Sequence, residues 1–320
     1  MKILVTGAAG FIGFHVSRLL CEQGHRVYGI DNYDDYYDIQ LKKDRISHLE
    51  KSYGNKFESK KINISNYKKL SKYVSKIKPK AVINLAAQAG VRHSIDNPFI
   101  FGETNLMGFL NILEVCRHNK INKLVYASSS SVYGETEVFP SPETLKLDTP
   151  ISLYAATKKA NELMAHCYHK LFGLTTVGLR FFNVYGTWNR PDMALGIFAR
   201  KMVKGEILPV FNNGESAKDF TYVDDIANGV IASLNLKDVC EVINLGNSKE
   251  INLMRFIELI EESLDIKANL EMLPMQPGDV PISRADNSRA KELLNWEPTT
   301  EVEEGIPKYV EWFKSYYLGE

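Results

Sequence analysis

In Tyr154-Ala155-Ala156-Thr157-Lys158 a phenol and an ammonium stand four residues apart. On a helix that spacing puts them on one face. Tyrosine is a poor base at its ordinary pKa of about 10, but a neighbouring cation favours the phenolate. A phenolate so placed can take a proton from a substrate hydroxyl. Upstream, Ser128-Ser129-Ser130-Ser131-Val132-Tyr133-Gly134 follows an apolar run, Leu124–Ala127. Hydroxyls at the carboxyl end of a strand face the crevice where ligands bind. One of them can bond the reacting oxygen and relay its proton. A Tyr-x-x-x-Lys pair alone also fits an ordinary surface pair, so its meaning depends on the elements that hold it.

Those elements begin at the N-terminus. The strand Ile3–Thr6 runs into Gly7-Ala8-Ala9-Gly10-Phe11-Ile12-Gly13, and a helical pattern follows at once. This arrangement turns backbone N–H groups and a helix N-terminus toward a pyrophosphate. Gly7 permits the tight turn, Gly10 lets phosphate approach the backbone, and Gly13 lets helix and strand pack closely. A glycine triplet gains weight from its context. Here a second strand, Arg26–Ile30, ends at Asp31. That carboxylate can accept from both ribose hydroxyls and would repel a 2′-phosphate, which favours NAD over NADP. The positive ring of oxidised nicotinamide would then join Lys158 in lowering the Tyr154 pKa, and hydride would leave the carbon whose hydroxyl Tyr154 deprotonates.

Apolar strand candidates (Ile3–Thr6, Val27–Ile30, Ala81–Ala86, Leu124–Ser128, Thr176–Phe181, Val242–Leu245) alternate with amphipathic stretches at Gly13–Gln23, Tyr67–Lys76, Glu103–His118 and Leu153–Phe172. The alternation predicts an α/β fold, a doubly wound parallel sheet of Rossmann type with a smaller C-terminal substrate-binding lobe. Residues 1–182 would form the NAD-binding domain, with 219–248 returning to it. Residues 183–218 and 249–320 would form the other lobe, with helices at Ile251–Leu264 and Glu303–Tyr316 and loops and short elements over Asn183–Lys218 and Leu273–Asp286. The chain has 39 Lys+Arg and 39 Asp+Glu, so no net field draws in nucleic acid or a membrane surface. No apolar run looks long enough to span a bilayer, and the N-terminus reads as a fold strand rather than a signal peptide. Four scattered cysteines with no Cys-x-x-Cys pair fit reduced thiols in a cytoplasmic protein.

At the glycine turn, the serine run and the Tyr-x-x-x-Lys pair, the chain resembles the extended short-chain dehydrogenase/reductase family, and within it the nucleotide-sugar epimerases, nearly end to end. The resemblance implies a catalytic set of Ser129, Tyr154 and Lys158. Tyr154 would be the base, Ser129 its partner on the substrate oxygen, and Lys158 the residue that holds the nicotinamide ribose. It implies cofactor contacts from Gly7, Gly10, Phe11, Ile12, Gly13, Asp31, Asn32, Asn63, Ile64, Leu85, Ala86, Ala87, Gln88, Asn105, Tyr154, Lys158 and Phe181. Asn63 stands where the family usually has aspartate beside adenine. It also implies a homodimer, through a four-helix contact of Glu103–His118 and Leu153–Phe172.

Three stretches, Asp31–Asp38, Arg180–Ala194 and Met275–Pro281, resemble UDP-glucuronate 4-epimerases in particular. That resemblance implies substrate contacts from Ser129, Ser130, Asn183, Arg190, Lys218 and Asp279. Arg190 would serve a carboxylate or the diphosphate, and Asp279 the uridine ribose. Lys218 replaces a usual arginine, and Asn183 a frequent threonine. Family decarboxylases and dehydratases carry an acid where this chain has Ser131. The implied reaction is inversion at carbon 4 of UDP-glucuronate, giving UDP-galacturonate, through a 4-keto sugar. NAD would be regenerated in each turnover. Epimerisation of UDP-glucose or UDP-N-acetylglucosamine, and less directly UDP-sugar decarboxylation or dehydration, remain alternatives. His166 and His169 lack a third ligand and make no metal motif. Asp224-Asp225 reads as the capped start of a helix, Ile226–Leu234. Tyr33, Tyr36 and Tyr37 fit either ligand stacking or loop packing.

Overall fold

The computed structural model describes residues 1–276 and 278–320. Pro277, inside the Met275–Pro281 stretch, lies outside the described residues. Seven parallel strands form one sheet: β1 (Lys2–Thr6), β2 (Arg26–Asp31), β3 (Phe57–Lys61), β4 (Ala81–Asn84), β5 (Lys123–Ser129), β6 (Thr175–Phe181) and β7 (Cys240–Leu245). Their order is β7-β6-β5-β4-β1-β2-β3. The chain winds from β1 out to β3, then returns to place β4 on the other side of β1. Strand order therefore reverses between β1 and β4, and a crevice opens at their carboxyl ends.

Helices cover both faces, which is why the strands read as continuous apolar runs. On one face, α1 (Phe11–Glu22) and α2 (Ile39–Tyr53) bury Phe14, Val16, Leu20, Ile46 and Leu49 against Val5 and Ile83. On the other, α3 (Tyr67–Ile77) and α4 (Pro98–His118) bury Leu70, Val74, Ile112 and Leu113 against Leu4, Val82 and Leu124. Each such side chain contributes roughly 1.5–3 kcal/mol. The helix α5 (Leu153–Phe172) carries the Tyr154–Lys158 pair, and Ser152 caps it by accepting from the Ala155 N–H at 3.1 Å. A further apolar cluster holds α6 (Ala194–Val203), α8 (Leu253–Leu264) and α9 (Val302–Phe313), with Phe220 stacked on Phe256 at 3.9 Å.

Four expectations change. The helix α2 and the edge strand β3 were not read from sequence: β3 buries only Phe57, and α2 is mostly polar. The Asn183–Lys218 stretch, expected as loops and short elements, holds a helix of 10 residues, α6. The helix α4, with a π-helical turn at Gly102–Gly108, is long and apolar enough to cross a membrane by length and composition, contrary to the sequence expectation. Its buried residues Phe101, Phe109, Ile112 and Leu113 pack inside the protein. Finally, neither Asp224 nor Asp225 bonds an N–H of its own helix, α7 (Val223–Ala232). Asp224 takes His15 at 2.9 Å and Arg18 at 2.7 Å, and Asp225 takes the Thr299 hydroxyl and the Thr300 N–H.

Candidate active site

The crevice is built first from backbone. The Thr6 hydroxyl donates to Asn84 Oδ1 at 2.7 Å and accepts from the Ala86 N–H at 3.1 Å, so the ends of β1 and β4 are pinned together. Gly7 has φ +69°, and a Cβ on it would lie 2.7 Å from the Ala86 nitrogen. A Cβ on Gly13 would lie 2.0 Å from the Gly7 carbonyl oxygen. No side chain fits at either position. At the end of β2, the Asp31 carboxylate accepts from the N–H groups of Tyr33 (2.8 Å) and Ala9 (3.1 Å). Burial raises its pKa, against those N–H bonds and the charges of Lys42 and Arg45.

One cavity is lined by Gly7, Gly10, Phe11, Ile12, Gly13, Asp31, Asn32, Asn63, Ile64, Leu85, Ala86, Ala87, Gln88 and Phe181, together with Ser129, Tyr154, Lys158 and Arg190. Asn105 stands behind the wall. Its amide donates to the Gln88 carbonyl (3.0 Å) and Thr157 Oγ1 (3.1 Å), and its oxygen accepts from the Gln88 N–H (2.8 Å). It thus ties the segment after β4 to α5. Lys42, Tyr36 and Tyr37 also line this cavity. Sequence reading did not select Lys42 as a site residue. Its spacing of three from Arg45 on a helix beginning just after the tyrosine run was the available signal.

Tyr154 and Ser129 line the cavity together, and the Ser129 hydroxyl donates to Ser131 Oγ at 3.1 Å. Burial holds the Tyr154 phenol above its usual pKa, outweighing the neighbouring Ser129 hydroxyl and the charge of Arg190. The expected lowering by Lys158 is therefore not met in the protein alone. The Lys158 ammonium donates to the Ala127 carbonyl at 3.0 Å, and burial brings its pKa down to about 8. A buried ion pair supports the serine strand from behind. Glu162, one turn after Lys158, takes Arg180 through two bonds of 2.9 Å and the Ser128 hydroxyl at 2.7 Å. Arg180 also donates to the Tyr133 hydroxyl at 3.0 Å. The Arg180 fork outweighs burial and keeps the Glu162 carboxyl below its usual pKa.

Of the residues expected to bind substrate, Ser129 and Arg190 line the cavity above, whereas Ser130, Asn183, Lys218 and Asp279 line a second one with Ser131 and Tyr133. Asp279, Lys218 and Asn183 already have partners. Asp279 pairs with Arg92 at 2.8 Å, a residue sequence reading did not select. The Lys218 ammonium bonds the Val280 carbonyl, and burial lowers its pKa. Asn183 accepts from the Ser283 hydroxyl at 3.3 Å. Arg190 pairs with Asp192, Nε to Oδ1 at 3.0 Å, and its guanidinium lies 5.6 and 5.7 Å from the Tyr36 and Tyr37 ring centres. Asp224 and Asp225 form no part of either cavity wall.

A family model described as GDP-mannose 4,6 dehydratase matches residues 4–309. The UDP-glucuronate 4-epimerase of Thermodesulfobacterium geofontis is 44% identical over 97% of this chain and 95% of its own. The crystal structure of UDP-glucuronic acid 4-epimerase from Bacillus cereus in complex with UDP-glucuronic acid and NAD is similar at TM-score 0.92 and 36% identity, covering 99% of this chain and 100% of that one. That of UDP-glucose 4-epimerase from Thermotoga maritima with UDP-glucose is similar at TM-score 0.89 and 32% identity, covering 98% and 99%.

Proposed function

The chain belongs to the GDP-mannose 4,6-dehydratase family of extended short-chain dehydrogenases/reductases, and on that footing we propose that it interconverts UDP-glucuronate and UDP-galacturonate. It is an NAD-dependent UDP-sugar 4-epimerase. The observation that carries the choice of a uronate is that the Arg190 guanidinium and the Tyr154 phenol face the same cavity, close enough for the arginine's charge to act on the phenol. A cation beside the base suits a sugar that carries a carboxylate.

The residues present fit NAD. Gly7 and Gly13 leave backbone where no Cβ could stand, and the Asp31 carboxylate has lone pairs beyond its two N–H bonds. In this reading the glycine turn takes the diphosphate, Asp31 the adenosine ribose and Lys158 the nicotinamide ribose. Bound NAD supplies a reversible hydride acceptor at carbon 4. Tyr154 removes the carbon-4 hydroxyl proton, with Ser129 fixing the phenol and the sugar oxygen. In the protein alone burial holds Tyr154 protonated, so its action as base would draw on the positive charge that bound NAD adds to that of Arg190. Lys218 and Asp279 retain the UDP end and Ser130 lies beside the sugar ring while the 4-keto sugar presents its other face, and Tyr154 returns the proton. Ser131 leaves no carboxylate to assist loss of carbon dioxide.

The same reading takes the chain as a cytoplasmic homodimer. Exposed Met107 on α4 and Leu163, Leu171 and Phe172 on α5 support a helix–helix contact between copies, which size-exclusion chromatography with light scattering tests. The reaction is tested by incubating purified protein with a panel of UDP-sugars and following products by proton NMR. UDP-glucuronate is expected to convert to its carbon-4 epimer with no external oxidant consumed. Turnover of UDP-glucose alone would move the assignment to a neutral hexose, and release of carbon dioxide or water would make the enzyme a lyase.

A further inference from the structure

The segment that brings Arg190 to the cavity, Thr187 to Asn189, is held in an unfavoured shape from the cofactor side. Trp188 has φ +56°, a left-handed conformation that bulky residues seldom adopt. Three supports maintain it. His15 Nε2, on α1, lies 2.9 Å from the Thr187 carbonyl oxygen. The Trp188 ring packs between Phe14 at 5.1 Å and Trp312 at 5.5 Å. Arg45, on α2, makes the widest connection. Its NH2 donates to the carbonyls of Trp188 (2.6 Å) and Asn189 (3.3 Å), and its NH1 to the Ala9 carbonyl in the glycine turn (2.9 Å) and the Tyr37 hydroxyl (2.8 Å).

Arg45 is fully buried, its hydrogen-bond partners among the described residues are all neutral, and its Nε has none. Its charge acts on the Asp31 carboxylate without a hydrogen bond to it among the described residues, so a guanidinium is a costly way to fill this space. What the guanidinium alone supplies is a planar fork that reaches two separate segments at once. Tyr37 joins them further, because its hydroxyl accepts from Arg45 while its ring lies beneath Arg190.

We propose that Arg45 is a positioning residue for sugar selectivity: it locks residues 188–189 to the glycine turn, so that Arg190 presents its charge at the place where a substrate carboxylate would lie. This rests on the uronate reading of Arg190. Arg45→Met keeps the chain length and removes the fork. The variant is expected to fold, because no carboxylate among the described residues loses a hydrogen bond to Arg45. Arg45→Lys keeps charge without the fork and serves as the second variant.

Two measurements on NAD-loaded protein decide. Hydrogen exchange needs no substrate: amides of 187–193 are expected to exchange about tenfold faster or more in both variants, with β4–β6 unchanged. Unaltered protection of that segment overturns the proposal. In the same preparations, kcat/KM for UDP-glucuronate is expected to fall about tenfold, mostly through KM, with UDP-glucose turnover and the Kd for NAD changing less than about twofold. Equal losses on both sugars, or exchange raised throughout the protein, would make Arg45 a general structural residue and overturn the proposal. If the wild-type protein ignores UDP-glucuronate, the uronate reading fails and selectivity goes with it, while exchange still reports whether Arg45 holds the segment.

Discussion

Around the glycine turn the cavity is shaped by backbone, whereas around Lys218, Asp279 and Arg190 it is shaped by side-chain charge. On the first side, strand ends are pinned by Thr6 and Asn84, and glycines bring main chain to within contact distance of main chain. At Gly7 and Gly13 there is no side chain to release before a ligand enters. On the second side each charged group holds an internal partner: Asp279 has Arg92, Lys218 has a carbonyl, and Arg190 has Asp192. A ligand there must exchange one set of bonds for another. The cofactor side is thus suited to a group that stays. The sugar side is suited to one that comes and goes, and discrimination arises from which ligands can replace those internal partners.

The sharpest way to test the contrast is at the junction of the two sides. Tyr154→Phe removes the base and little else, and is expected to lower kcat about 1,000-fold while NAD affinity and Tm hold. Turnover retained in that variant would remove Tyr154 from the mechanism. On the backbone side, Gly13→Ala places a Cβ against the Gly7 carbonyl. Forced displacement of the turn is expected to cost about 3 kcal/mol, or roughly 100-fold in the Kd for NAD by fluorescence titration. On the charge side, Arg190→Ala is expected to reduce kcat/KM for UDP-glucuronate by roughly 30-fold, about 2 kcal/mol, and that for UDP-glucose much less. Equal losses would assign Arg190 to the diphosphate.

The smallest effect lies outside both cavities, at the tether between α1 and α7. His15 and Arg18 hold the Asp224 carboxyl down to about 2 despite burial, so the stabilisation is present above the ordinary aspartate pKa and is lost as pH falls toward 2. The side chain is 39% exposed, and screening reduces the contribution to about 1 kcal/mol. Asp224→Asn is expected to lower stability by that amount in urea unfolding at pH 7, and the gap to the parent protein should close as pH drops through 3.

What could be read before the structure was whatever depends on neighbours in sequence. The helix α5 spans Leu153–Phe172 as its amphipathic pattern predicts, because helical periodicity and i, i+4 pairing are local. The strands of the sheet centre were legible because burial on both faces leaves an unbroken apolar run. The edge strand β3 was missed because an edge buries one residue in five here. Asn105 reads as a cofactor contact by position, yet its side chain clamps Gln88 to α5. Arg92 carried no signal, since its partner Asp279 comes from a loop far along the chain.

The glycine spacing, the acidic end of β2 and the Tyr154–Lys158 pair were determined by sequence, because each rests on covalent neighbours and one or two turns of backbone geometry. Tertiary structure decided the rest. It raised the Tyr154 pKa, through desolvation contributed by every surrounding element. It paired Arg190 with Asp192 over two tyrosines. It also sent Arg45 across from α2 to the segment that carries Arg190. Charge, unlike spacing, acts through whatever is nearest in space, and only the folded chain fixes that.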